Sequence, residues 1–334
     1  MNLDAQETLM PTATDRVTGG IARRRFLAAS AVVTAAVAGG LGAASPPLSP
    51  AAPRSARLGS HDASATGTPE QPAPGDTVSV ERLVGGVLLV GIDRPTEQNR
   101  IDPATFVALG RAYALLDQDD DLRVAVLFGH GPDFSAGIDA PAWAPALGSG
   151  AFDPGTGDFV DPLGITLPRR AKPVVVAVQG ITQFMGHELF LAADVRVAAS
   201  DTVFNQGEAT RGAFPAGGGT VRFVREAGWA NAMRYMLTGE EWGADDAFRL
   251  GLVQMVTPPG DQLDRALEYG RKIARAAPLG VRATLASAHR AQADGEDAAF
   301  AALLPEFGRL LRSEDRQEYL RALSENRPPS YRGR

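Results

Sequence analysis

The chain reads as an α/β fold in which buried strands alternate with helices. Three observations carry that expectation. "LRVAVLFGHG" (122–131) and "KPVVVAVQG" (172–180) are short, nearly continuous apolar runs, the pattern of strands covered on both faces. Stretches of helical periodicity separate the strands, which implies crossover helices and a parallel sheet. Beyond residue 261 only helical patterns remain.

Residues 1–77 differ from the rest. "ARRRFLAAS" places Arg23, Arg24 and Arg25 ahead of an Ala-rich apolar run, Phe26 to Ala44, which closes on the small residues Gly42-Ala43-Ala44. A basic patch, an apolar stretch and a small-residue site together suggest an export signal. The order Arg23-Arg24-x-Phe26-Leu27 resembles the twin-arginine type, read as an address for folded export. Residues 1–44 are therefore expected to be a twin-arginine-type signal sending the protein to the periplasm or beyond. The alternative is a fortuitous basic-apolar start on a cytoplasmic protein, or an uncleaved anchor. Alanine and glycine make the run a weak membrane span, so no stable span is expected after processing. Residues 45–77 are Pro, Ala, Ser, Gly and Thr, too poor in apolar side chains to offset ordering entropy; they are expected to be a disordered linker.

The body is expected to comprise a core over 78–260 and a helical region over 261–334. "VSVERLVGGVLLVGID" (78–93) has two β-rich runs around Gly85-Gly86 and reads as a hairpin. Asp102-Pro103 supplies an N-cap followed by a proline at the first helical position, so a helix is expected through about residue 117. Residues 140–170 are Gly- and Pro-rich, and a loop of that length suggests a lid or a substrate-binding element. Within it, Trp143 is a candidate substrate contact. The C-terminal region carries four helical stretches, beginning at "QLDRALEYGRKIARAAP" (262–278).

Composition excludes several function classes. Net charge is -6 and only Lys172 and Lys272 are lysines, a poor match to a nucleic-acid backbone. With no cysteine, disulfides, thiolate nucleophiles and thiolate metal sites are ruled out. The four histidines (His61, His130, His187, His289) lack metal-ligand spacing, so no metal site is expected.

Three segments stand in a telling order: "GIDRPTEQNRID" (91–102), "GHGPDFSAGIDA" (129–140), and the long stretch from "KPVVVAVQGITQFMGHELF" through "GLVQMV" (172–256). Together with the tail "NRPPSYRGR", they resemble the enoyl-CoA hydratase/isomerase (crotonase, or ClpP/crotonase-like) family over about residues 78–334. The resemblance implies a spiral of ββα units and a C-terminal helical trimerisation region, in homotrimers or hexamers. It also implies an acyl-CoA substrate and no cofactor beyond the CoA of that substrate.

The family stabilises an oxyanion at a thioester carbonyl with two backbone N–H groups, which at a helix N-terminus are already oriented. By motif, these are the N–H groups of Ile138, after Ala136-Gly137, and of Met185. Ala136, Gly137, Phe184 and Gly186 then line the substrate. Many members carry glycines where this chain has Phe184-Met185-Gly186, and glycine allows both unusual conformations and close ligand approach; the departure bears on substrate size. Glu188 and Glu208 fall at the family's two glutamates. Glu208 is assigned as principal acid/base and Glu188 as the water-holding partner, and retention of both favours hydration over isomerisation.

Blander readings stand beside these. Glu188 in a first helical turn complements the helix dipole, and Glu208 suits an ion pair with Arg211 or Arg222. His187 reads as packing, Asp139 as a helix cap, and Gly217-Gly218-Gly219 as close helix packing. Arg169 and Arg170 read as a solvated pair or as contacts for CoA phosphates. The function expected is reversible hydration of a 2-enoyl-CoA. Alternatives are an isomerase or C–C hydrolase acting on a non-CoA substrate, and a non-catalytic exported binding protein.

Overall fold

The computed structural model describes residues 77–149, 152–155 and 157–334. The expected signal (1–44) and the expected linker up to residue 76 lie outside the described residues.

The hairpin forms as read: β1 (Val78–Leu83) pairs antiparallel with β2 (Val87–Ile92), Leu83 facing Val87. Helix α1 (Pro103–Gln118) begins where the capping signal placed it, with the Asp102 carboxylate accepting the Thr105 N–H at 2.7 Å. Strand β3 (Val124–Gly129) leads to α2 (Ala140–Ser149), and β4 (Val174–Val178) leads through β5 (Ile181–Gln183) to α3 (Met185–Ala192). Strands β6 (Val195–Ala199) and β7 (Val203–Asn205) precede a 3-10 turn at Glu208–Arg211 and α4 (Gly219–Ala227). Then follow α5 (Trp229–Thr238), β8 (Trp242–Gly243), α6 (Ala244–Arg249) and β9 (Met255–Thr257). The chain closes with α7 (Gln262–Ala274), α8 (Pro278–Asp294), α9 (Glu296–Leu311) and α10 (Glu314–Ser324).

One sheet has the order β1-β2-β3-β4-β6-β9 and a second the order β5-β7-β8. From β2 onward the larger sheet is parallel. Its strands follow a repeating path. Each turn of chain lays one strand in the large sheet, makes a short pairing outside it, and then enters a helix. In successive turns these are β2, Ile101 and α1; β3, Ser135 to Ile138 and α2; β4, β5 and α3; β6, β7 and, after the 3-10 turn, α4. Isolated parallel bridges Ile101–Ile138 and Ser135–Thr182 tie consecutive turns together. This is the expected spiral of ββα units.

The continuous apolar runs are explained by burial on both faces. Val124, Val126, Val175, Ala177 and Val197 pack on one side with Ala266 and Leu267 of α7. The alternate residues Ala125, Leu127, Val174, Val176 and Val178 share the main core with Leu109, Tyr113 and Leu116 of α1. Each such side chain contributes roughly 1.5–3 kcal/mol when fully buried.

One expectation needs correction. The segment after Ala140 is not a loop throughout, because α2 occupies its first ten residues. Asp139 caps it: its carbonyl accepts the Trp143 N–H at 3.1 Å and its side chain faces the Ala142 N–H at 3.4 Å. Pro141 falls in the first turn, where a missing N–H costs nothing. Further along, buried Asp161 holds residues 163–166 in place, accepting the N–H groups of Leu163, Ile165 and Thr166 at 2.9–3.0 Å.

The four C-terminal helices appear as expected. Helix α8 contributes no buried residue and α9 only Ala299. Along α9, Phe300, Leu303, Leu304, Phe307 and Leu311 are exposed, an apolar stripe at helical spacing with nothing from the described residues covering it.

Candidate active site

The site begins where two turns of the spiral run side by side. Ser135 donates its N–H to Ile181 O and accepts the Gln183 N–H, both at 3.0 Å. That register sets the junction at Gly137-Ile138 beside the junction at Phe184-Met185. Ile101 N–H binds Gly137 O and Asp139 N–H binds Ile101 O, which leaves the intervening Ile138 N–H with no acceptor among the described residues. Met185 is the first residue of α3, so its N–H has no intrahelical acceptor either. Two neighbouring unpartnered donors, one at a helix N-terminus, can stabilise developing negative charge.

Gly137 is needed on two counts. Its φ is +91°, and an added Cβ would lie 2.8 Å from Phe184 Cβ. Gly186 is buried against the Ser135 carbonyl, and Ala136, also buried, donates its N–H to Gln98 O at 2.9 Å.

Phe184 adopts φ 53°, ψ -120°, a conformation that favours glycine and costs of order 1–3 kcal/mol for other residues. The surroundings hold it there. Its N–H binds Asn205 O at 2.9 Å, and its carbonyl accepts the Glu188 N–H at 2.9 Å. The Arg211 guanidinium stacks over its ring, 4.2 Å from the centroid. The Phe-Met departure therefore leaves a glycine-like backbone in place and adds a ring at the junction.

Glu188 stands one turn into α3 and is 3% exposed. Its Oε1 accepts the Gly219 N–H at 3.0 Å, at the start of α4. A Cβ on Gly217 would lie 2.5 Å from Glu188 Oε2, so the glycine run serves as a cradle for this carboxylate, beyond the expected helix packing. Burial pushes the carboxyl up to about 7; the Gly219 N–H opposes that shift and the Glu208 charge adds to it.

Glu208 opens the 3-10 turn. Its Oε1 accepts the Gln206 side-chain N–H at 2.7 Å, while Oε2 is buried with no partner among the described residues. Burial raises its pKa, against the pull of its own N–H, the Gln206 amide and Arg211. No ion pair forms with Arg211 or Arg222 among the described residues.

Gln206 escaped the sequence reading. It is fully buried and its Oε1 bonds His187 Nδ1. Burial holds the His187 imidazole down to about 3, so the ring is neutral. The Gln206 amide N–H faces the Phe184 carbonyl at 3.4 Å as well as Glu208, which turns the amide oxygen to His187 and places the imidazole proton on Nδ1. His187 itself packs among Phe190, Phe204, Phe223 and Trp242, with ring centroids 5.2–5.7 Å away. It is thus both a packing residue and a hydrogen-bonding one. The available signal was alternation: counting in twos from buried Phe204 turns Gln206 inward.

Trp143 lies in the core, 5.6 Å from Phe106 and 4.9 Å from Phe152 between ring centroids. Its indole N–H donates to Ile101 O at 2.8 Å, which braces the strand paired with Ile138. Arg170 is not a solvated residue: it pairs with Asp194 at 2.6 Å. Among the described residues no cluster of His, Asp or Glu could hold a metal ion, and no helix is long and apolar enough to cross a membrane.

A family model described as enoyl-CoA hydratase/isomerase matches residues 82–334. The chain is 32% identical over 262 residues to enoyl-CoA hydratase EchA19 of Mycobacterium tuberculosis, covering 78% of this chain and 98% of that protein. It is 34% identical over 257 residues to carnitinyl-CoA dehydratase of Salmonella enteritidis, covering 75% and 96%. Among solved structures, a probable enoyl-CoA hydratase/isomerase from Mycobacterium abscessus superposes with a TM-score of 0.75 at 39% identity, over 78% of this chain and 99% of that one. An enoyl-CoA hydratase from M. tuberculosis gives 0.68 at 33% identity, over 77% and 99%.

The raised Glu188 carboxyl ties stability to pH. The fold favours the protonated form, so this group's contribution is complete below about pH 4.5 and lost as pH rises through about 7. The loss is roughly 3 kcal/mol. Urea denaturation of wild type and Glu188→Gln at about pH 5 and about pH 8 measures it. Wild type should lose stability relative to the variant at the higher pH; an equal gap at both values would refute the assignment.

Proposed function

The chain belongs to the enoyl-CoA hydratase/isomerase family, has its crotonase fold and is an enzyme of that kind, and we propose that it catalyses reversible hydration of a 2-enoyl-CoA thioester. The observation that carries this reading is the pairing of buried Glu188 with half-buried Glu208, both with raised pKa, beside two unpartnered backbone donors. A hydratase and a dehydratase run one reaction in opposite directions, so the names of both relatives accord with it.

The residues divide the work as follows. The thioester carbonyl oxygen sits between the N–H groups of Ile138 and Met185, which bind it more strongly as it becomes an enolate oxygen. Glu188, anchored by Gly219, holds the water and takes its proton as oxygen attacks the β-carbon. Glu208, once protonated, delivers its proton to the α-carbon from Oε2, the oxygen left free of protein partners. The Glu208 charge that raises Glu188 puts the pair's proton on Glu188 at rest; that proton passes to Glu208 before addition, and addition, which takes one proton from water onto Glu188 and gives one from Glu208 to carbon, restores the resting state. Raised pKa values favour a pair that shares one proton. Gln206 is a positioning residue, because its oriented amide fixes which Glu208 oxygen remains free.

Depletion of the conjugated enoyl thioester absorbance of crotonyl-CoA and longer analogues tests the reading. Glu188→Gln and Glu208→Gln should each lower kcat/KM by about 10²–10⁴. Gln206→Leu should lower kcat by about 10-fold or more with little change in KM, and shift the pH profile, since it removes a hydrogen bond to a charged group. Tolerance of one glutamate change would instead indicate an isomerase, and inertness toward every enoyl-CoA would refute hydration.

Export remains part of the proposal, resting on Arg23-Arg24-x-Phe26-Leu27 and the apolar run behind them. It predicts a mature chain beginning near residue 45 outside the cytoplasm. N-terminal sequencing after cell fractionation checks this, and residues 1–44 intact on a cytoplasmic protein would overturn it.

Assembly as a homotrimer, or a hexamer of two trimers, is supported by the uncovered apolar stripe of α9. Sedimentation should return a multiple of three chains, and Phe300→Glu with Leu304→Glu should shift it toward monomer. A monomeric wild-type protein would contradict this.

A further inference from the structure

The peptide bond between Phe184 and Met185 carries the second of the two free donors. Its carbonyl accepts the Glu188 N–H at 2.9 Å and faces the Gln206 side-chain N–H at 3.4 Å. In a trans peptide the carbonyl and the N–H point in opposite directions, so whatever fixes this carbonyl also aims the Met185 N–H. The dihedral angles that set the peptide plane belong to Phe184, at φ 53°, ψ -120°. A residue other than glycine stays there only when its surroundings hold it.

Two kinds of contact hold it. Backbone bonds fix both ends of the residue, with the Phe184 N–H on Asn205 O at 2.9 Å. The side chain is fixed separately, by the Arg211 guanidinium 4.2 Å from the ring centroid. A ring free to swing would pull on the strained dihedral angles beneath it; a stacked ring does not.

Arg211 is placed for this contact by the turn it belongs to. Residues Glu208–Arg211 form a single 3-10 turn, in which side chains three residues apart eclipse. Glu208 and Arg211 therefore leave the turn on one side, Glu208 toward the Gln206 amide and Arg211 toward Phe184. Gly212, at φ 73°, ends the turn directly behind Arg211. No carboxylate takes up the Arg211 guanidinium in an ion pair among the described residues, so its planar face is left for the ring, a pairing to which arginine is well suited. Two links thus join the turn to the donor peptide: the Gln206 amide, shared between Glu208 and the Phe184 carbonyl, and the Arg211 stack.

We propose that Arg211 is a positioning residue of the reaction: by stacking on Phe184 it holds the 184–185 peptide with the Met185 N–H facing the thioester oxygen, and it ties that donor to the turn carrying Glu208. The inference rests on the placement of that oxygen between Ile138 and Met185 proposed above. Glycine at 184 would need no such support, so the arginine answers to the phenylalanine.

A cycle of Arg211→Gln and Phe184→Gly tests this. Arg211 is exposed, so its variant should fold, as thermal melting checks. For crotonyl-CoA, kcat is compared at the plateau of each pH profile, so that any shift in Glu208 titration drops out. In the native background Arg211→Gln should lower kcat about fivefold or more, with KM changed less than about twofold. In the Phe184→Gly background, whatever that change does by itself, Arg211→Gln should alter kcat less than about twofold. Infrared spectroscopy of bound butanoyl-CoA, which has no double bond to hydrate, gives a readout independent of turnover. Its thioester carbonyl stretch should fall on binding to wild type, fall less in Arg211→Gln, and be insensitive to that change once residue 184 is glycine. An equal effect of Arg211→Gln in both backgrounds would overturn the proposal, since the arginine would then act through the Glu208 charge. No effect in either background would overturn it too, as would a carbonyl unshifted on binding to wild type. The expected carbonyl pattern without hydration of any enoyl-CoA would uphold the positioning role and count against the hydratase reading alone.

Discussion

The short parallel pairing between Ser135 and residues 181–183 is the contact on which the rest of the site depends. Its two 3.0 Å hydrogen bonds join consecutive turns of the spiral. A parallel register places corresponding points of two turns side by side, and here those points are where strand gives way to helix. At such a junction the chain stops donating to a sheet and has not begun donating within a helix. Ile138 and Met185 both fall there. Two free donors thus arise from topology, with no polar side chain involved, and Gly137 supplies the room for the junctions to touch.

Near those donors the fold buries the Glu188 carboxyl group and half-buries that of Glu208, which would be unfavourable without compensation. The compensation is partial. Glu188 gains the Gly219 N–H at the start of α4, and the missing side chain at Gly217 lets α4 approach it. Glu208 gains one amide from Gln206, itself locked by a histidine kept neutral by its aromatic surroundings. Full satisfaction would lower both pKa values and leave two inert carboxylates. Incomplete satisfaction keeps both raised, and an oxygen of Glu208 stays available for a proton. The aromatic packing around His187 therefore bears on chemistry as well as on stability.

Much of this was legible in the sequence because it rests on local rules. Continuous apolar runs gave β3 and β4 and Asp102-Pro103 gave the start of α1, whereas Glu188 and Glu208 were reached through the family resemblance. Helix α2 was hidden because Pro141 and Pro145 read as loop formers, although Asp139 supplies a cap and the first turn tolerates proline. Gln206 was hidden for a different reason: its importance lies in partners 19 residues away at His187 and two residues away at Glu208, and no spacing rule joins the three.

Phe184 shows how the division between main-chain and side-chain chemistry leaves selectivity free to change. An oxyanion donated to by backbone groups makes no demand on the side chain at the junction, only on the dihedral angles there. Glycine meets that demand at little cost. Phenylalanine meets it at a cost of order 1–3 kcal/mol, offset by hydrogen bonds at its N–H and carbonyl and by the Arg211 guanidinium over its ring. That stacked cation occupies one face of the ring. The same backbone geometry can thus be kept while the side chain at the junction changes.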